Sequence, residues 1–376
     1  MPSAPVQPQQ RIQYLDVIRG FAITGVLFAY VFWNLGALPE STYTSFEKSL
    51  NSILSFLIDS KCFTLLANLF AVGFVLHMSK SVNTSQSISI YRRRLVGLMI
   101  IGLVHALLLR NGDILLPYAL LTLLVSFFYF ASNRTIIIAM VATFFLQVLM
   151  PEIWKWFHIP FPQRPASNDN YWIENFLWVK YWYASAIFYW ETTLLFLFSG
   201  LLLGRIFIRD KIKFSNRQLM AFAIIGIISG SASYWLLNAY VDKIMSLPDV
   251  GNTQILRRTI LNVLWLIHRG GLATAYAILF YLFLKRFPLN ILAVLGRTSL
   301  SNYILQAMIV VPVCLLFNLF DKFTPLTALI MSVSIWIVQV LLSMWWLKQY
   351  RFGPLEWVLR RFVYGKMMSA PAVPGK

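Results

Sequence analysis

A few ionisable residues lie inside or at the edges of long apolar stretches: Asp16, Arg19, His105, Asp113, Glu191, His268 and Arg269. A charge in hydrocarbon is unfavourable, so an ionisable residue kept there is by default a candidate functional group. His105, in GLVHALLLRNGDILLPYALL, is the natural general base, because imidazole takes up and releases a proton near neutral pH. Asp113 follows in an Asn-Gly-Asp turn, where it could fold back to orient the imidazole or cap the next helix. Arg269, in WLIHRGGLATAYAILF, needs a partner at this depth. Glu191 of FYWETTLLF and Asp113 are the carboxylates expected at a similar level in the outer half of the bundle. Proton abstraction at His105, with Arg269 steadying an oxyanion, is the chemistry such a cluster could do. A structural buried ion pair and a satisfied bundle histidine are the plainer alternatives.

A second set lies toward the opposite end of the same apolar stretches. Asp16 and Arg19 are three residues apart, share a helix face and could pair, either as a helix-end anchor or to hold an anion on an oriented guanidinium. Arg92, Arg93 and Arg94 fall on that side too. They could meet lipid headgroups or the phosphates of a nucleotide-like cofactor, or serve as topological anchors.

The elements that position these residues follow from composition. The 376 residues are 59% hydrophobic and 12% charged, about half the charge of a soluble domain. Such a chain cannot cover itself with polar surface, so lipid must solvate much of it. Apolar runs at about 17–37, 62–79, 94–110, 114–131, 135–150, 183–205, 218–240, 259–284, 298–320 and 325–347 predict an all-α, polytopic transmembrane bundle of about ten spans. Residues 51–58 read as an interfacial helix or as part of a span. Alternate loops differ about twofold in Lys and Arg, and that bias puts both termini in the cytoplasm.

The expected organisation is a cytoplasmic tail (1–16), an N-terminal transmembrane half (17–150), an external loop (151–182), a C-terminal transmembrane half (183–347) and a cytoplasmic tail (348–376). The external loop carries Trp154, Trp156, Trp172, Trp178 and Trp182, a composition suited to the membrane interface or to a lid over a cavity.

Several classes are disfavoured. The net charge of +18 is spread over short loops, as the positive-inside rule expects, so no nucleic-acid partner is implied. Cys62 and Cys314 have no paired spacing. No HExxH, Walker loop, GxGxxG or GxSxG is present, and no metal is expected.

RIQYLDVIRGFAITGVLFAY is similar to the opening of the YeiB-like family of membrane proteins, which carry a C-terminal domain of unknown function (DUF418). KCFTLLANLFAVGF, RRRLVGLMIIGLVHALLLRNGDILLPYALL, LGRTSLSNYILQAMI and the closing YRFGPLEWVLRRFVYG resemble the same family, in order along nearly the whole chain. The resemblance extends to a broader set of transmembrane acyltransferases, which includes bacterial cell-surface O-acyltransferases and lysosomal heparan-glucosaminide acetyltransferase.

It implies acyl-CoA, acetyl-CoA first among them, as a cytosolic cosubstrate. The acceptor would be a small molecule, glycan or lipid-linked compound on the outer side. The setting would be the bacterial cytoplasmic (inner) membrane, with membrane lipids and a second copy of the chain, as a homodimer, for partners. The LDxxRG start is matched by Leu15, Asp16, Arg19 and Gly20, and these relatives carry His or Asn eleven residues after the arginine. Tyr30 stands there in this chain, which leaves His105 as the replacement base. On this reading Asp16, Arg19, Arg92, Arg93 and Arg94 bind the cofactor and His105, Asp113, Arg269 and Glu191 form the catalytic cluster. A transporter for a small anionic or lipid-linked solute is the alternative from another class.

Overall fold

The apolar runs fold as helices in the computed structural model, which describes residues 13–34, 37–79, 84–109, 112–160, 162–166, 170–185, 190–246 and 252–365, with the backbone alone at 33, 34, 84, 191 and 252. In chain order these are α1 (Gln13–Ala29), α2 (Ser45–Leu57), α3 (Lys61–Ser79), α4 (Thr84–Leu108), α5 (Leu115–Ser126), α6 (Asn133–Trp156) and α7 (Tyr171–Ala184). The second half adds α8 (Trp190–Gly204), α9 (Asn216–Met245), α10 (Asn252–Leu284), α11 (Asn290–Arg297), α12 (Ser299–Phe317), α13 (Pro325–Gln349) and α14 (Pro354–Tyr364). No strand forms among the described residues beyond one bridge between Ala37 and Phe323.

Polar residues between the runs fix where helices begin. Ser132 accepts from the Thr135 N–H to cap α6. Ser215 and Gln218 make a reciprocal capping box on α9, and Thr324 with Pro325 starts α13. These contacts satisfy backbone donors that the first helical turn leaves unpaired.

Among the described residues, eight helices are long and apolar enough to cross a membrane. The expected spans 94–110 and 114–131 are not among them, and each has a physical reason. α4 carries Arg92, Arg93 and Arg94, so its apolar part begins only at Leu95. α5 ends after 12 residues and continues as a 3₁₀ turn over Phe127–Phe130. Residues 51–57 form the second half of α2, and the 151–182 segment contains the end of α6 and most of α7.

The chain divides into two compact units: 1–66, 81–113 and 283–376 in the first, and 67–80 with 114–282 in the second. In the first unit, α1 lies on α11 at glycines. A Cβ on Gly20 would sit 1.9 Å from the Leu292 carbonyl oxygen. Gly97 of α4 similarly admits Leu359 and Phe362 of α14. Leu27, Tyr30, Val31, Ala307, Val310, Cys314 and Ile335 form the apolar core. Beside it runs a buried polar cluster. Thr298 donates to Ser343, Asn302 donates to both hydroxyls, and Gln339 donates to the Asn302 carbonyl. After Ala29, α1 widens into a π-helical turn that begins at Tyr30.

In the second unit, Phe128 meets Phe198 edge-on, and Gly200 lets α8 approach the Asn68 backbone. α9 and α10 cross at Gly226 and Gly271, where a Cβ on Gly226 would lie 2.5 Å from the Gly271 carbonyl oxygen. The second glycine of the Gly270–Gly271 pair thus permits the close helix approach.

Candidate functional site

α4 presents His105 on its last turn, closed by the Leu109 N–H on the His105 carbonyl at 2.9 Å. Asp113 lies in the connection to α5. Both are deeply buried, 3% and 0% exposed. His105 Nδ1 stands 3.1 Å from Asp113 Oδ1, in close contact though not as an aligned hydrogen bond. The turn has thus folded the carboxylate back onto the imidazole.

A third group completes the arrangement. Tyr303 of α12 donates its hydroxyl to the same Asp113 Oδ1 at 2.9 Å. Its ring lies against the imidazole with centroids 4.9 Å apart and planes 40° apart. One carboxylate oxygen therefore faces both a phenol and an imidazole. His105 Nε2 is buried with no hydrogen-bond partner among the described residues. An imidazole with a carboxylate against Nδ1 and a buried, unpartnered Nε2 has the layout of a general base.

Depth follows from helix rise. His105 is eleven residues beyond Arg94, about 16 Å along α4 at 1.5 Å per residue. Tyr303 is only four residues, about 6 Å, into α12.

At the other end of α4, Arg92, Arg93 and Arg94 are all exposed. Arg92 and Arg93, with Ser85, Ser89 and Phe362, line a cavity of about 310 Å³ between α4 and α14. Asp16 and Arg19 pair as expected, with Arg19 Nη1 3.1 Å from Asp16 Oδ1. Asp16 is buried and Arg19 partly exposed, so the guanidinium keeps a solvent-facing side.

The remaining candidates belong to the second unit. Glu191 is on α8, and its side chain lies outside the described residues, as does Arg110. Arg269 lies over the ring of Trp265, one turn back on α10, at 4.9 Å from its centroid. His268 Nδ1 is 3.0 Å from the Gly230 carbonyl oxygen and helps hold α10 against α9.

Three further residues do not stand out in the sequence. Tyr303 lies in an apolar helix, although Asn302 and Gln306 beside it mark a polar face. Arg205 borders a basic loop, yet it is 0% exposed. It donates to the carbonyls of Phe128 and Ala131 at 2.7 Å, to that of Tyr129, and to Asn133 Oδ1. It thereby caps the 3₁₀ turn after α5.

The third is Glu356 of the GPLEW segment. It accepts from the Leu300 and Ser301 N–H groups at 2.7 and 3.2 Å and from the Ser301 hydroxyl, capping α12 from α14. Burial is the strongest influence on its carboxyl and pushes its pKa up, while these hydrogen bonds oppose the shift.

Residues 203–366 match a protein family described as a protein of unknown function (DUF418). The chain is 27% identical, over 96% of both chains, to an uncharacterized 39.9 kDa protein from the amylase 3′ region of Bacillus acidopullulyticus. It is 25% identical over 96% of both chains to YxaH of Bacillus subtilis, strain 168. It is 24% identical to YeiB of Escherichia coli, strain K12, over 92% of this chain and 94% of that one.

Proposed function

We propose that this chain, which belongs to the YeiB-like DUF418 family, is a membrane acyltransferase that moves an acyl group from cytosolic acyl-CoA to a hydroxyl or amine presented toward the outer side of the membrane. The observation that supports the reading is the buried His105–Asp113 contact, with Nε2 left without a hydrogen-bond partner among the described residues. In the proposed reaction, Nε2 takes the proton of the acceptor O–H or N–H as the acceptor attacks the thioester carbonyl. A tetrahedral intermediate collapses by breaking the C–S bond, and the imidazolium returns that proton to the CoA sulfur. Asp113 keeps the imidazole oriented and balances its transient positive charge without taking the proton itself.

The basic end of α4 supports the donor side of this reading. Arg92 and Arg93 could meet the CoA phosphates in the cavity they line with Ser85 and Ser89. Arg94, at the cavity's edge in sequence, and Arg19, steered by Asp16, would add further phosphate contacts. Arg92 is thirteen residues before His105, about 20 Å along the helix, a separation comparable to the pantetheine arm that must carry the thioester inward. The protein would then sit in the bacterial cytoplasmic membrane with its basic loops inside.

The test is acyl transfer from labelled acyl-CoA by the purified full chain in proteoliposomes, with CoA affinity measured on the same preparation. Transfer that needs His105, together with CoA binding that needs Arg92 and Arg93, is expected. Uptake of a small anion without any CoA binding would favour the transporter instead.

A further inference from the structure

We infer that Tyr303 is a positioning residue of the His105 site: its hydroxyl fixes the Asp113 carboxylate so that His105 is held as the Nδ1–H tautomer with Nε2 facing the acceptor. The inference rests on the reading of His105 as the base, and adds a residue from a helix nearly two hundred positions away.

The geometry leads there step by step. Asp113 lies in the connection before α5 rather than in a helix, so its own backbone does little to restrict its side chain. An ionised carboxylate can present either oxygen to an imidazole and can rotate between them. The Tyr303 hydroxyl, at 2.9 Å from Oδ1, ties down one oxygen, and that oxygen is the one facing Nδ1. Tyr303 is itself buried, so water does not compete for the bond. Its ring packs on the imidazole, which limits rotation of the base about its own side-chain bonds.

The phenol is a donor toward the carboxylate, so Asp113 remains an acceptor for a proton on Nδ1. With Nδ1 protonated, the lone pair is on Nε2. Tyr303 keeps its own proton throughout the cycle and forms no bond to substrate. Asp113 and Tyr303 both lie against the imidazole.

The experiment uses the full-length protein in nanodiscs with ¹⁵N-labelled histidine. His105 is one of four histidines, and its signals are assigned by their loss in His105→Gln. The wild type should show a single Nδ1–H imidazole at neutral pH. Tyr303→Phe removes the hydroxyl and keeps the ring, so it should show both tautomers. Its kcat should fall on the order of tenfold, as for loss of one hydrogen bond to a charged group, while its KM for acyl-CoA should stay near wild type.

A Tyr303→Phe protein that keeps one Nδ1–H tautomer overturns the inference. So does a wild-type spectrum dominated by the Nε2–H form, which decides the matter even should Tyr303→Phe fail to fold. Absence of acyl transfer by the wild type would instead remove the acyltransferase reading, and the tautomer comparison would still judge Tyr303.

Discussion

Gly296 of α11 rests on the backbone carbonyl of Asp16 in α1, so close that a Cβ there would lie 1.7 Å from the oxygen. Gly20, one turn along α1, makes the reciprocal approach to Leu292. The glycine of the LDxxRG start is therefore a helix-crossing residue, and the neighbouring Asp16–Arg19 pair is set by that crossing. Gly296→Ala should push the helices apart and lower stability by about 1–3 kcal/mol, as overpacking does. The expected readout is a lower melting temperature in detergent together with weakened CoA binding at Arg19. A wild-type melting curve would mean that the crossing is looser than this contact requires.

The GPLEW segment has a structural task. A Cβ on Gly353 would displace the Glu356 carboxylate, whose Oε2 would lie 2.1 Å away. Pro354 opens α14, and Glu356 caps α12. Because its carboxyl is pushed above the ordinary 4.5 in the fold, the folded protein binds its proton more tightly than the unfolded chain. Its contribution to stability is then full below the unfolded value and declines as pH rises through the folded one. Melting temperatures taken from about pH 4 upward should show this decline in wild type and not in Glu356→Gln, which cannot ionise. Glu356→Ala should be less stable than Glu356→Gln throughout, since it leaves the Leu300 and Ser301 donors unpaired.

Much of this architecture is legible in the sequence, for reasons that differ by element. Long runs such as Asn216–Met245 read directly as helices because lipid demands a continuous apolar surface. The His105–Asp113 contact is legible because a short turn limits where Asp113 can go. Tyr303 is not, because its partner is remote in sequence and a tyrosine near a helix end usually signals an interface. Arg205 misleads for a related reason. It borders a basic loop, and only the packed fold reveals that carbonyls released at the end of the 3₁₀ turn draw it inward. Of the four residues expected to share a pocket, His105 and Asp113 belong to the first unit and Glu191 and Arg269 to the second.

Arg205 supplies a stability prediction. Arg205→Leu keeps an apolar stem but removes the donors to three carbonyls and the Asn133 side chain. Each buried acceptor left unsatisfied costs about 1–3 kcal/mol, so a loss of at least about 3 kcal/mol is expected, with poor accumulation in membranes. Arg205→Lys should recover only part of this, because one ammonium cannot reproduce the planar fork. Equal melting temperatures for Arg205→Leu and wild type would refute the capping role.

Topology is open to direct measurement. Eight helices of spanning length among the described residues and the ten expected runs are both even numbers, so either count predicts two termini on one side. The basic bias predicts that this side is cytoplasmic. A reporter fused after Gly365 should be active only in the cytoplasm, and one inserted at 166 only outside. An external C-terminal reporter would reverse the orientation and put Arg92 and Arg93 beyond reach of cytosolic CoA.

The site itself is tested by separating turnover from binding. His105 and the Arg92–Arg93 cavity lie on one helix but about 20 Å apart, so damage to one should not reach the other directly. His105→Ala should lower kcat by about 10²–10⁴-fold, the usual contribution of a general base, with CoA affinity nearly unchanged. Arg92→Ala with Arg93→Ala should weaken CoA binding first and spare the rate at saturating donor. Asp113→Asn should fall between wild type and His105→Ala: it still accepts from Tyr303 through its amide oxygen but cannot balance an imidazolium. Its pH–rate profile should therefore change shape, whereas a residue that only holds the α4–α5 turn would lower the amount of folded protein and leave the profile intact. If a well-folded His105→Ala protein transferred acyl groups at the wild-type rate, the buried imidazole would be structural, and the proposed base would have to be sought elsewhere in the first unit.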